Sequence, residues 1–155
     1  MKLEDLEKVY AKLPQVSALA HEIGNPSVRR LFLEGLLGSS APMLFGSLAA
    51  KCSVPFLFIL QDAEEAGYFY HDLTQLLGQR RVLFFPSSYR RAIKYGQLDP
   101  ASPILRTEVL TQISHLSSRT SHLYVITYPE ALAEMVVPKQ TLSSRTLVIK
   151  QGDEI

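Results

Sequence analysis

Cysteine occurs once, as Cys52, and tryptophan is absent. A lone thiol excludes an internal disulfide and any cysteine-rich zinc site. Cys52 has only Lys51 as a basic neighbour, so a buried, inert thiol is expected rather than a nucleophile. His21, His71, His115 and His122 show no metal-ligand spacing among themselves, and surface or capping roles are expected of them. Long hydrophobic runs are missing too. The longest, such as Phe56–Leu60, fall far short of the ~20 residues that a membrane-spanning helix needs. Met1–Leu13 is charged and amphipathic rather than a signal sequence, so the chain is expected to be cytoplasmic and to have no membrane partner. A large excess of one charge is also lacking. The net charge of +1 excludes the global basicity of a dedicated DNA binder.

What is present is an ordinary globular composition, 46% hydrophobic and 20% charged, which excludes a disordered chain. The 155 residues suffice for one domain, or one domain and a fragment of a second. The charge is unevenly placed. Residues 1–78 hold six Lys/Arg against nine Asp/Glu, and residues 79–155 hold ten against six. No acid occurs between Asp72 and Asp99, a gap that contains Arg80, Arg81, Arg90, Arg91 and Lys94. A local basic patch is expected there.

Leu3, Leu6, Val9, Tyr10 and Leu13 recur at helical spacing until Pro14, and a second short helix is expected over Val16–Ile23. The rhythm then changes to short apolar runs separated by amphipathic stretches. Leu31–Leu33, Pro55–Leu60, Val82–Phe85, Leu123–Tyr128 and Thr146–Ile149 read as strands, with Pro55–Leu60 expected to be buried on both faces. Between them, Asp62 with Glu65 forms a capping box, and Asp99-Pro100 and Tyr128-Pro129 mark helix starts. Four or five such strands predict a three-layer α/β domain. Its sheet would be mainly parallel, with helices on both faces and right-handed crossovers.

In such sheets ligands bind beyond the carboxyl ends of the strands. The first of those ends leads into Gly35-Leu36-Leu37-Gly38-Ser39-Ser40-Ala41-Pro42, ahead of a helix expected over Met43–Cys52. A phosphate loop there would read G-x-x-x-x-G-K-[ST], because backbone amides cradle the phosphates, lysine neutralises them and the hydroxyl holds magnesium. Aligned from Gly35, Ser40 replaces the second glycine, Ala41 the lysine and Pro42 the hydroxyl residue. Pro42 also removes an N–H from the helix start. A tight turn with Ser40 as a possible cap is expected, with no bound cofactor and no metal. The alternative is a nucleotide-binding domain with residual ATP affinity through the Gly38–Ala41 amides. No G-x-S-x-G elbow makes Ser39 or Ser40 a nucleophile.

The segment LFLEGLLGSSAPMLFGSLAAKCSVPFLFIL (31–60) resembles the first βαβ unit of the UvrB family with an eroded phosphate loop. FFPSSYRRAIKYGQLDPASPILRTEVLTQI (84–113) and VITYPEALAEMVVP (125–138) resemble the amino-terminal UvrB-like module of the bacterial transcription-repair coupling factors, the Mfd family. The resemblance covers about residues 25–155. Beyond the N-terminal helical segment over 1–26 that the spacing predicts, it implies a UvrB-like α/β domain with a degenerate phosphate loop over 27–140, and the start of a second, UvrA-interacting subdomain over 141–155. It also implies a non-catalytic module for recruiting UvrA and contacting other domains of its parent. That parent would be an ATP-dependent, magnesium-using DNA translocase and hydrolase that meets RNA polymerase and DNA through other domains. The aromatic damage-probing hairpin of UvrB is replaced here by the short stretch Pro86–Pro100.

Tyr89, Arg90, Arg91, Lys94 and Tyr95, with Arg80 and Arg81 before them, interleave arginine and tyrosine. Such residues anchor protein interfaces, or hold phosphates and stack on bases in a weak, non-specific DNA-binding module. A plain solvated loop is the remaining reading. Arg106 is expected to tie its helix to a neighbouring carboxylate. Glu64, Glu65 and Asp72 are expected on a solvated helix face.

Overall fold

The computed structural model describes residues 2–89, 101–114 and 122–145. Two helices open it, α1 (Leu3–Ala11) and α2 (Pro14–Gly24), followed by α3 (Ser40–Leu48). There follow β1 (Phe56–Ile59), α4 (Ala63–Leu77), β2 (Val82–Phe84), α5 (Ala101–Ser114) and β3 (Tyr124–Thr127). The short α6 (Pro129–Leu132) and α7 (Lys139–Arg145) complete the described chain. The strands form a parallel sheet in the order β1-β3-β2, with Phe56 and Val82 both level with Tyr124. Helices lie on both faces, so the α/β architecture is the one the apolar rhythm predicts.

Local chemistry starts the helices. Asp62 accepts from the backbone N–H of Glu64 and Glu65 at 3.0 and 2.9 Å, while the Glu65 carboxylate accepts from Gln61 N–H at 2.9 Å. Pro14 and Pro129 each stand in the first turn of their helix, where a missing N–H costs nothing.

Side chains alternate across the sheet. Phe56 and Phe58 meet Phe45 of α3 at ring-centroid distances of 6.0 and 4.9 Å, and Phe58 meets Phe69 of α4 at 4.8 Å. Tyr70 of α4 reaches Phe84 at 5.3 Å. The opposite face presents Leu83, Val125 and Phe85 towards α5, where Val109 is buried in the same core. A second cluster joins Val16 and Leu19 of α2 to Leu44, Leu48 and Cys52, and so holds α2 on α3.

Two expectations change. Leu31–Leu33 is not a strand: the run joins no strand of the described sheet, and its side chains are 47, 85 and 40% exposed. Three apolar residues are a strand only when a neighbour supplies hydrogen-bond partners. The Phe56–Ile59 strand is covered on one face only, because Leu57 and Ile59 are 58 and 55% exposed. Its position at the sheet margin, beyond the reach of α5, is the reason. The described sheet therefore has three strands rather than four or five. Thr146–Ile149 and Asp99-Pro100 lie outside the described residues.

α3 and α4 cross closely at Gly46, where an added Cβ would lie 2.9 Å from Leu76 Cδ1 and 3.3 Å from Leu76 Cβ. Overpacking such a contact costs about 1–3 kcal/mol, more than the roughly 1 kcal/mol gained by removing a helical glycine. Gly46→Leu is therefore expected to lower the urea midpoint with an unchanged denaturant slope. Gly46→Ala should do so less, because Leu76 Cδ1 can rotate away. An unchanged midpoint for Gly46→Leu would show that the two helices do not meet there.

Candidate functional site

The carboxyl ends of parallel strands are where an α/β protein presents ligand-binding loops. Two groups of residues bear on this, although the first follows no described strand. The first is the turn into α3. Gly35 and Gly38 have φ of 78° and 53°, a left-handed conformation that glycine adopts without Cβ strain. α3 then begins at Ser40, with Ser39 at the N-cap position, three residues before the expected start. Pro42, buried in the first turn, allows this because its fixed φ suits a helix start. Ser40 consequently lies inside the helix instead of capping it, and its buried Oγ has no partner among the described residues.

Ser39 Oγ–H donates to Asp72 Oδ2 of α4 at 2.6 Å. This brings a carboxylate to the very turn where a phosphate would need positive charge. Ala41 supplies no cation and Pro42 no N–H. The two hydroxyls are engaged with a carboxylate, in Ser39, or buried, in Ser40. The turn thus combines two left-handed glycines with a nearby carboxylate and lacks the lysine of a phosphate loop.

The second group closes the exits of β2 and β3. Arg106, on α5, is only 6% exposed. Its Nη1 donates to the carbonyls of Pro86 and Ala131 at 2.8 and 3.0 Å, and its Cζ lies 4.1 Å from the Phe85 ring centroid. The same nitrogen stands 3.5 Å from Glu134 Oε2. Glu134 accepts from Ser87 Oγ–H and, at 3.0 Å, from Ser88 N–H. Ser87 N–H donates to Tyr128 Oη at 2.8 Å, and Thr127 Oγ1–H donates to the Phe85 carbonyl at 2.9 Å. Burial alone would push the Glu134 carboxyl up. The hydrogen bonds from Ser87 and Ser88, aided by the Arg106 charge, outweigh it and hold the group below the usual glutamate range.

Arg106 was expected to meet a carboxylate, and Glu134 is that carboxylate. Glu134, Ser87 and Tyr128 themselves carried no sequence signal, because they lie 41 and 47 residues apart and meet only through the parallel pairing of β2 with β3.

The basic stretch is divided by the fold. Arg80 and Arg81 precede β2 and, with Leu76, Leu77, Gly78 and Gln79, line a shallow depression of about 610 Å³. Tyr89 lies beyond the other end of β2 and is exposed. Arg90, Arg91, Lys94 and Tyr95 lie outside the described residues, as does His115. Cys52 is buried, its Sγ 3.8 Å from the Ala20 carbonyl, and burial pushes its thiol pKa up. Glu64 and Glu65 are exposed, while Asp72 is half-buried at the α3 turn. Among the described residues no three His, Cys, Asp or Glu side chains gather as a metal site, and no helix is long and apolar enough to cross a membrane.

Over 128 residues the chain is 27% identical to the transcription-repair-coupling factor of Bacillus subtilis, a likeness that covers 83% of this chain and 10% of that protein. The chain thus spans about a tenth of the length of the curated relative it matches. The likeness is distant and partial, and it supports a relationship to the coupling-factor family. No family model matches the chain. No solved structure matches it either.

Removing one partner of a buried ion pair leaves the other charge and its acceptors stranded, at about 3–5 kcal/mol. Arg106→Met is expected to destabilise the chain by that order in chemical denaturation, and a loss below about 1 kcal/mol would show that the guanidinium organises nothing. Glu134 has a lowered folded-state pKa. Its stabilisation is therefore complete above the ordinary glutamate value of about 4.3 and drains away as pH falls through the depressed value. Glu134→Gln should flatten this acid limb, as read from melting temperature against pH. An unaltered limb would place the sensitivity elsewhere.

Proposed function

We propose that these residues form a non-catalytic interaction module of a transcription-repair coupling factor. In this reading the module serves transcription-coupled nucleotide excision repair by helping to recruit UvrA and by contacting other domains of its parent. The likeness to the Bacillus coupling factor supports the repair setting. The observation that carries the non-catalytic reading is the α3 turn, where Ala41 and Pro42 stand in place of the lysine and hydroxyl residues and Ser39 is bound to the Asp72 carboxylate. A phosphate brought to this turn meets a negative charge and lacks the cation that offsets the β- and γ-phosphates in phosphoryl-transfer enzymes. The hub of Arg106 and Glu134 fits a scaffold, since it fixes the start of the segment after β2. ATP hydrolysis, magnesium, DNA translocation and contact with RNA polymerase then belong to the rest of the parent protein.

Two measurements test this. Calorimetric titration of the chain with ATP and magnesium is expected to give no binding heat, and a micromolar complex would favour a nucleotide-binding domain instead. Immobilised UvrA is expected to retain a version extended through the complete second subdomain better than the 155-residue chain alone. Equal failure of both versions to bind would remove the UvrA assignment.

A further inference from the structure

The amino end of β2 lies away from the Arg106 hub and carries a different chemistry. Arg80 and Arg81 lead into the strand there, and with Leu76, Leu77, Gly78 and Gln79 they line the depression of about 610 Å³. Its backbone is fixed from two sides. Gly78 has φ of 82°, which suits glycine, and donates its N–H to the Thr74 carbonyl at 2.9 Å, so α4 ends there. Arg81 N–H donates to the Gly78 carbonyl at 3.2 Å, and the Arg81 carbonyl accepts from Tyr124 N–H of β3 at 2.9 Å. The two arginines are thus anchored by a helix end and by the sheet, while both remain exposed.

Neither guanidinium is paired with a carboxylate among the described residues. No acid lines the depression, and the sequence has none between Asp72 and Asp99. Two adjacent positive charges therefore stand with only the partial negative charge of the α4 carboxyl end to balance them. Beside them, Leu76 and Leu77 pack against the core but are only partly buried, so the lining also has an apolar wall. Arginine binds carboxylates in a planar, two-bonded geometry. A nucleic-acid backbone would gain nothing from the leucines, and strong duplex binding draws on about 6–10 phosphate contacts rather than two.

We propose that this depression docks an acidic peptide segment of a partner protein. Carboxylates of that segment pair with Arg80 and Arg81, and a neighbouring apolar side chain rests on Leu76 and Leu77. Charge complementarity names the occupant: the unpaired cations call for an anion, and the leucines call for one that brings apolar surface with it. Burial against the leucines excludes water from the ion pairs, and so strengthens contacts that are weak when fully solvated. The site rests on the reading of the chain as an interaction module and gives that module a contact surface. ATP titration and UvrA capture test the module by other means, so peptide binding can fail while they succeed.

The test is fluorescence anisotropy of a labelled peptide of alternating Glu and Leu, titrated with the 155-residue chain. It is expected to bind about tenfold or more tightly than its Gln and Leu counterpart and than a short DNA duplex, and to weaken as salt screens the charges. Arg80→Glu with Arg81→Glu should weaken the peptide complex by about tenfold or more at a nearly unchanged melting temperature. Arg80→Gln with Arg81→Gln, which adds no negative charge, should weaken it in the same direction but less. Arg29→Glu with Arg30→Glu makes the same change of net charge at an exposed pair outside the depression, and should have little effect. Equal losses at the two pairs would reduce the attraction to net charge and overturn the site, as would failure of the peptide to bind. Unchanged peptide affinity with a lowered melting temperature would overturn it by assigning Arg80 and Arg81 to the balance of the α4 carboxyl end. A preference for the duplex, lost in the Arg80 and Arg81 variants, would overturn it in favour of nucleic acid.

Discussion

A buried guanidinium holds the carboxyl end of the sheet together. Arg106 reaches from α5 to the carbonyl that follows β2 and to the one at the end of α6, with Phe85 beneath it and Glu134 beside it. Each contact satisfies a polar group that the fold has removed from water, where an unpaired charge would be costly. Nη1 alone serves both carbonyls, while the buried Nη2 has no hydrogen-bond partner among the described residues. Three separate segments are thereby fixed around it. The stretch that leaves β2 begins in one defined place because Glu134 and Tyr128 hold Ser87 and Ser88.

The same economy of charge explains the α3 turn. A parallel α/β sheet presents helix amino ends and loops where an anion can bind, and related folds use that feature for nucleotides. Here the turn keeps its two left-handed glycines, yet Ser39 is bound to the chain's own Asp72, the following positions carry no charge, and Pro42 has no N–H. Ser39 at the α3 turn and Glu134 at the exits of β2 and β3 thus both have partners within the chain. The matched part of the much longer Bacillus subtilis coupling factor is a tenth of its length.

Much of this was legible in the order of residues alone, wherever the determining interaction is local. Asp62 and Glu65 sit three positions apart and cap α4, and Pro14 and Pro129 open their helices. The runs around Phe56, Val82 and Tyr124 are too short and too apolar for surface helices, and they became the three parallel strands. The buried thiol of Cys52 and a carboxylate partner for Arg106 were also readable.

Tertiary structure alone decided the rest. Leu31–Leu33 has the composition of a strand, but a strand exists only with a neighbour, and whether one is present is a long-range fact. The exposed face of β1 follows from its place at the sheet margin, which no periodicity encodes. Glu134 became the partner of Ser87 and Arg106 because parallel pairing of β2 with β3 brings distant strand exits side by side. Capping and turn chemistry act over a few residues and can be read along the chain. Strand order and the company of a buried charge depend on which distant segments the folded core brings together.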